Sequence, residues 1–178
     1  MKKAFYPLIA AILLLTSAKL AINTIDYSVG KDFKVKFTSK DPSGEFKKMT
    51  GNIQYDAKNL AGSSFNFKIE VSSISTGNNM KNKKAMTNEW FAADKHPNIT
   101  FISSKVVKTE KGIYVHGKLN MKGVDRFRKI KINPIKTDTG MKFTGTFWVD
   151  RSYYKIGKTS KAVPNKLKIE FSIPVTKK

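Results

Sequence analysis

Two histidines, thirteen carboxylates and no cysteine are what this 178-residue chain offers for acid–base, nucleophilic or metal chemistry. An enzyme site needs such groups placed together. His96 stands beside Pro97, and His116 falls on what should be the polar face of a strand. Neither has a second ligand at a metal-type spacing. The carboxylates are scattered, and most alternate with lysines as surface pairs. Asp150-Arg151 could form a buried ion pair, although pairing at a strand end is the ordinary explanation. No glycine-rich loop leads from a strand into a helix to cradle phosphate. The residues therefore name no catalytic group and no metal ligand, and point to binding instead. Absence of cysteine also excludes a disulfide framework, a thiolate metal site and a lipid-modified N-terminal cysteine.

The N-terminus explains where such a protein would work. Lys2 and Lys3 precede an apolar run over residues 4–15, and Thr16-Ser17-Ala18 supplies the small residues a signal peptidase reads. Residues 1–18 are expected to be a signal peptide, with cleavage after Ala18 or, second, after Ala21, leaving a domain over 19–178. A dozen apolar residues fall short of the ~20 that span a bilayer. The expected location is the periplasm, or outside the cell.

Charge sets the second constraint. Thirty-four Lys and Arg against thirteen Asp and Glu give a formal +21. That field favours anionic partners such as a membrane surface or an acidic polymer. The lysines are nevertheless spread along the chain at alternate strand positions, where they also guard sheet edges. Nucleic acid is not the expected partner, because the aromatics share the inward, apolar parity and export removes the chain from most nucleic acid.

The elements that must position any site are strands. Val35 and Phe37, Ile53 and Tyr55, Phe65, Phe67, Ile69 and Val71 alternate with polar neighbours. So do Ile113, Val115, Leu119 and Met121; Ile130 and Ile132; Met141, Phe143, Phe147 and Val149; and Leu167, Ile169, Phe171 and Ile173. Period two with one wet face marks antiparallel strands. About eight of them in sequence order, joined by short turns such as Asp41-Pro42-Ser43-Gly44 and Asp138-Thr139-Gly140, predict an all-β up-and-down meander closed into a barrel. Phe46 breaks parity with Ile53, which predicts a bulge between Lys47 and Gly51. The exception to the strand pattern follows Thr76-Gly77. Asn78 or Asn79 can cap a helix that carries Met86 and Trp90 four apart on one face, and Pro97 ends the connection. Twelve Phe, six Tyr and two Trp are more aromatic volume than a small filled core needs. An eight-stranded barrel holds either packed side chains or one small ligand.

Five stretches resemble the YceI-like family of bacterial periplasmic and secreted proteins: Gly51-Asn52-Ile53-Gln54-Tyr55-Asp56, Ser73-Ile74-Ser75-Thr76-Gly77-Asn78, the run from Trp90-Phe91 through His96-Pro97 to Ile99-Thr100-Phe101, Gly117-Lys118-Leu119-Asn120-Met121-Lys122-Gly123-Val124, and Asp150-Arg151-Ser152-Tyr153-Tyr154-Lys155-Ile156-Gly157. The resemblance implies an extended, lipocalin-like, antiparallel eight-stranded β-barrel with one helix in a long connection. It also implies a non-catalytic protein without a cofactor, binding an amphiphilic lipid (a polyisoprenoid, a quinone precursor or a fatty-acyl compound) for carriage or storage. On that reading Phe37, Phe67, Ile69, Phe101, Leu119, Phe143 and Phe147 contact the tail. Trp90 and Phe91 close the mouth, with Tyr154 near it.

The chain departs from the family at the polar end. Lys81-Asn82 stand where the family commonly has an Arg-Asp pair, and Lys84 where it has a histidine. Tyr153 replaces an acidic residue and Lys122 a histidine. Lys81, Asn82 and Lys84 are thus the head-group candidates, with acidic heads expected. The competing expectation is a basic surface protein that binds anionic membranes or polymers around an inert barrel. A homodimer is left open by the sequence.

Overall fold

A computed structural model describes residues 24–159 and 163–178; the expected signal peptide and both cleavage points lie outside them. Eleven strand segments form one sheet: β1 (Ile25–Val29), β2 (Lys34–Thr38), β3 (Gly44–Phe46), β4 (Met49–Tyr55), β5 (Ser64–Glu70), β6 (Ile74–Ser75), β7 (Asn98–Thr109), β8 (Gly112–Met121), β9 (Val124–Thr137), β10 (Gly140–Asp150) and β11 (Lys166–Lys177). Every pairing is antiparallel. The ring β1-β4-β5-β7-β8-β9-β10-β11 closes through β1 on β11, so the barrel has eight strands and no free edge along that half.

The segments are three long strands broken in two. β1 and β2 both lie along β11, β3 and β4 along β2 and β1, and β6 and β5 along β3 and β4. Counted this way the chain is the expected eight-stranded meander. The bulge expected between Lys47 and Gly51 is instead a full break at Lys47-Lys48. There the amide of Lys47 donates to Ser73 O, and Lys48 O accepts from the amide of Glu70. A register slip the sequence did not announce falls between Ser103 and Lys105 on β7.

Alternation decides which side chains point inward. Tyr27, Ile53, Tyr55, Phe65, Val115, Leu119, Ile130, Ile132, Phe143, Ile173 and Val175 are buried, while the lysines between them are mostly exposed. At the β8–β9 hairpin, Lys122 (φ 51°) and Gly123 (φ 74°) make the turn, the two positive values of a type I′ turn.

The helix α1 (Asn79–Met86) sits in the connection from β6 to β7, and the Asn78 side chain caps it by accepting from the amide of Lys81. Trp90 is not on this helix. The helix stops at Met86, Thr87 is extended, and Trp90 follows in a turn where its amide donates to Thr87 O. Four-residue spacing brought Met86 and Trp90 together on paper, but the chain bends away first.

Candidate functional site

The barrel is closed at one end and open at the other. At the closed end Tyr55, Phe65 and Phe143 pack edge to face, with ring centroids 5.1 Å apart for Tyr55–Phe143 and Phe65–Phe143. Burial raises the Tyr55 hydroxyl's pKa above its ordinary range, with Tyr27 and Asp56 adding to the rise. Above this floor lies a cavity of about 410 Å³. Its wall is apolar, and Phe67, Ile69, Phe147, Leu167, Ile169 and Phe171 line it while only half-buried. Inward side chains of a filled core would be fully buried; here they face a void. The volume falls within the roughly 300–1,000 Å³ of small-molecule pockets.

Polar groups enter the wall only at the other end, through Asp41, Thr76, Lys81, Lys84 and Arg151. Three segments build this mouth: the turn after β2, α1 with the loop behind it, and the 3-10 helix Arg151–Tyr154 with its following loop. Lys81 Nζ lies 2.6 Å from Asp41 Oδ1 and ties helix to turn. Lys84 Nζ stands 5.8 Å from the Trp90 ring centroid. On the ring's other contact, the Arg151 guanidinium carbon lies 5.4 Å from the same centroid.

Arg151 is 3% exposed and is not the ion pair its neighbour Asp150 suggested. Its guanidinium donates to four backbone carbonyls, Pro164 O (3.1 Å), Ile156 O (2.6 Å), Lys158 O (3.0 Å) and Val163 O (2.9 Å). Asp150 instead caps the 3-10 helix, accepting from the Ser152 amide and hydroxyl. Burial pulls the Arg151 pKa down, and Asp150 opposes that fall. Gly157 (φ 65°) passes so close that a Cβ would lie 2.8 Å from Arg151 Nη1 and 3.1 Å from the Trp90 ring. Lys122 Nζ staples the two loops together by donating to Glu89 O (3.0 Å) and Lys155 O (2.7 Å), and burial lowers its pKa. Lys122→Ala is expected to cost roughly 1.5–3 kcal/mol, the range for hydrogen bonds to a charged group. Thermal unfolding would read this as a fall of several degrees; an unchanged midpoint would show that the staple carries nothing.

The profile of the YceI-like domain family matches residues 18–175, nearly the whole chain. The chain belongs to the YceI-like family. Among curated relatives, a UPF0312 protein of Yersinia enterocolitica is 31% identical over 83 residues, 47% of this chain and 43% of that protein. The chain thus spans less than half the length of the curated relatives it matches. Among solved structures, Burkholderia cenocepacia BcnA superposes with a TM-score of 0.74 at 26% identity, covering 81% of this chain and 96% of that one. A polyisoprenoid-binding domain from Saccharophagus degradans superposes with a TM-score of 0.66 at 14% identity, covering 86% of this chain and 99% of that one, and shows the shared fold.

Within this YceI-like barrel, Phe37, Phe67, Ile69, Trp90, Phe91, Phe101, Leu119, Phe143 and Phe147 all stand on the cavity wall, as do Lys81 and Lys84. Two expected residues do not. Tyr154 is fully buried between β9 and β10, where its hydroxyl accepts from Arg128 Nε at 3.1 Å. Burial raises its pKa and Arg128 holds the rise back. The Asn82 side chain turns away to accept from the Thr76 amide (2.9 Å) and hydroxyl (2.8 Å). Arg151 also stands on the wall, with no sign of it in the sequence, as do Leu167, Ile169 and Phe171, whose parity marks them as inward. Among the described residues, no cluster of three or more His, Asp or Glu could hold a metal ion.

Proposed function

We propose that this protein is an exported, non-catalytic carrier or store that holds the apolar tail of one amphiphilic lipid in its barrel. The single observation behind this reading is the cavity: apolar along its walls, plugged at the Phe143 end, and cationic only at its mouth. An amphiphile has the same layout, a long apolar body and one polar end. Each methylene moved from water into such a wall gains about 0.8 kcal/mol. The polyisoprenoid-binding domain from Saccharophagus degradans, which shares the fold, favours an isoprenoid over other chains. Export to the periplasm fits residues 1–18 as a signal peptide.

At the mouth, the exposed Lys84 is the donor offered to a head group; the indole N–H of Trp90 beside it is buried and has no hydrogen-bond partner among the described residues. Lys81 is engaged by Asp41, and all four carbonyl acceptors of Arg151 are supplied by its own loop. The surplus of positive charge selects acidic heads such as phosphate or carboxylate.

Native mass spectrometry of the purified protein, followed by organic extraction, tests the reading. A bound species of one defined mass, lost on extraction, is the expected result. A clean apo mass that takes up neither isoprenoid nor fatty-acyl compounds would overturn it. Titration with tail-matched lipids separates the head-group part: acidic heads should bind a few-fold tighter, as exposed charge pairs worth ~0.2–1 kcal/mol allow, and equal affinities would remove that part alone.

A further inference from the structure

Among the described residues, the barrel's outer surface carries large exposed aromatics. Phe127 is 77% exposed, Trp148 62% and Tyr153 56%, with Ile102 at 58%. The register puts the strand residues among them on the outward parity. Ile102 on β7 faces Lys118 on β8, which faces Phe127 on β9, all on the outward parity. Trp148 on β10 is outward too, opposite Lys168 on β11. Tyr153 follows β10 directly, with the Arg126 guanidinium 5.6 Å from its ring centroid. All four lie toward the end where β7 and β9 begin and β10 finishes, which is the end of the cavity mouth.

This part of the barrel is also where its ladder is interrupted. β9 and β10 pair only from Thr137 and Gly140 up to Asn133 and Thr144. Beyond that point Tyr154 fills the seam under Arg128, and Phe127 and Trp148 stand outward on its two sides. Aromatic rings next to an opening of the barrel are not structural necessities, because the seam is already filled from within.

We infer that this outer face docks the mouth end of the barrel on an anionic lipid bilayer. Trp and Tyr, with an apolar body and a polar edge, are suited to the headgroup boundary. The charges around them complement an anionic surface. Arg126 and Lys129 find aromatic rings instead of carboxylates. The carboxylates on the face are accounted for: Asp125 is paired with Lys118 and Glu170 with Lys168, and Asp150 holds Ser152. A second copy of this chain is the poorer occupant, because it brings the same large surplus of lysine and arginine to the contact. Each Lys or Arg near an anionic leaflet adds roughly 1 kcal/mol of attraction, and the aromatics convert that attraction into a defined orientation. The inference deepens the proposed function by naming the surface at which lipid would enter or leave.

Vesicle co-sedimentation of the full chain tests it, comparing phosphatidylcholine vesicles with mixed phosphatidylglycerol–phosphatidylcholine vesicles. Wild type should sediment with the mixed vesicles only, and its tryptophan emission should shift to the blue by a component absent from Trp148→Phe. The double variant F127S/W148S should bind at least about tenfold more weakly, since each ring contributes of the order of an interfacially buried aromatic. Ile25→Ser, at the opposite end of the barrel, should bind as wild type does. Failure of wild type to bind, or binding that falls with salt yet ignores the loss of Phe127 and Trp148, would overturn the inference. Dimerisation lost in F127S/W148S would overturn it in favour of a second copy. If F127S/W148S unfolds, Phe127→Ser alone keeps the comparison. Loss of docking would leave the native mass spectrum of the cavity ligand unchanged, so the two readings fail separately.

Discussion

Ile69→Trp is expected to weaken lipid binding about a hundredfold while leaving the barrel folded. Ile69 lies on β5, packs against the core on one side and, only half-buried, lines the cavity on the other. An indole there would occupy the space of three or four methylenes of a bound tail. At about 0.8 kcal/mol each this removes roughly 3 kcal/mol, or about a hundredfold in affinity. Native mass spectrometry should show the apo mass, and titration with an isoprenoid alcohol should show the affinity loss. Thermal unfolding should shift little or upward, because filling a void restores contacts that its lining lacks. Ile169→Trp, also half-buried on the wall, should behave alike. Unchanged affinity in both variants would mean that the tail does not reach the middle of the barrel.

The same residue shows how much of the site could be read from the sequence. Period two assigned Phe65, Phe67 and Ile69 to one face, and the structure puts all three on the cavity wall. Parity says which way a side chain points, but not what it meets. Phe65 is buried in the aromatic floor while Ile69, four residues on, borders open space. That difference depends on what the facing strands bring to each level of the barrel, which no single strand encodes. The break at Lys47-Lys48 was visible as a parity error, but its form depended on Ser73 and Glu70 arriving alongside. Trp90 is the opposite case. Its spacing from Met86 fits a helix, yet Thr87 leaves the helical region and a turn carries the ring to the mouth. The lysines of α1 could be placed at the mouth from the resemblance; the role of Arg151 could not be seen. Its partners are carbonyl oxygens of residues 156–164, and carbonyls leave no signature in side-chain identity.

Arg151→Ala is expected to melt the mouth. Four carbonyls of one loop converge on a single buried cation, and hydrogen bonds to charged groups contribute ~1.5–3 kcal/mol each when considered singly. They do not add, because the freed loop can turn its carbonyls to water. A loss of about 3 kcal/mol is therefore expected, which for a chain of this length lowers the unfolding midpoint by roughly 6–12 °C. Lysine is no substitute, since its three donors radiate from one nitrogen and cannot span four acceptors in a plane; Arg151→Lys should recover less than half of the loss. The local readout distinguishes this role from general packing. Trp90 rests against both the guanidinium and Gly157, so its emission should shift to the red in Arg151→Ala and become accessible to aqueous quenchers before the barrel unfolds. Amide exchange should rise over residues 151–158 and 87–92, which meet through the bond from the Gly157 amide to Glu89 O, and stay unchanged in β7 and β8. If the midpoint falls while Trp90 keeps its emission, Arg151 supports the sheet and not the mouth. If both hold steady, the loop closes without it, and the cation at the top of the cavity is left to serve the ligand alone.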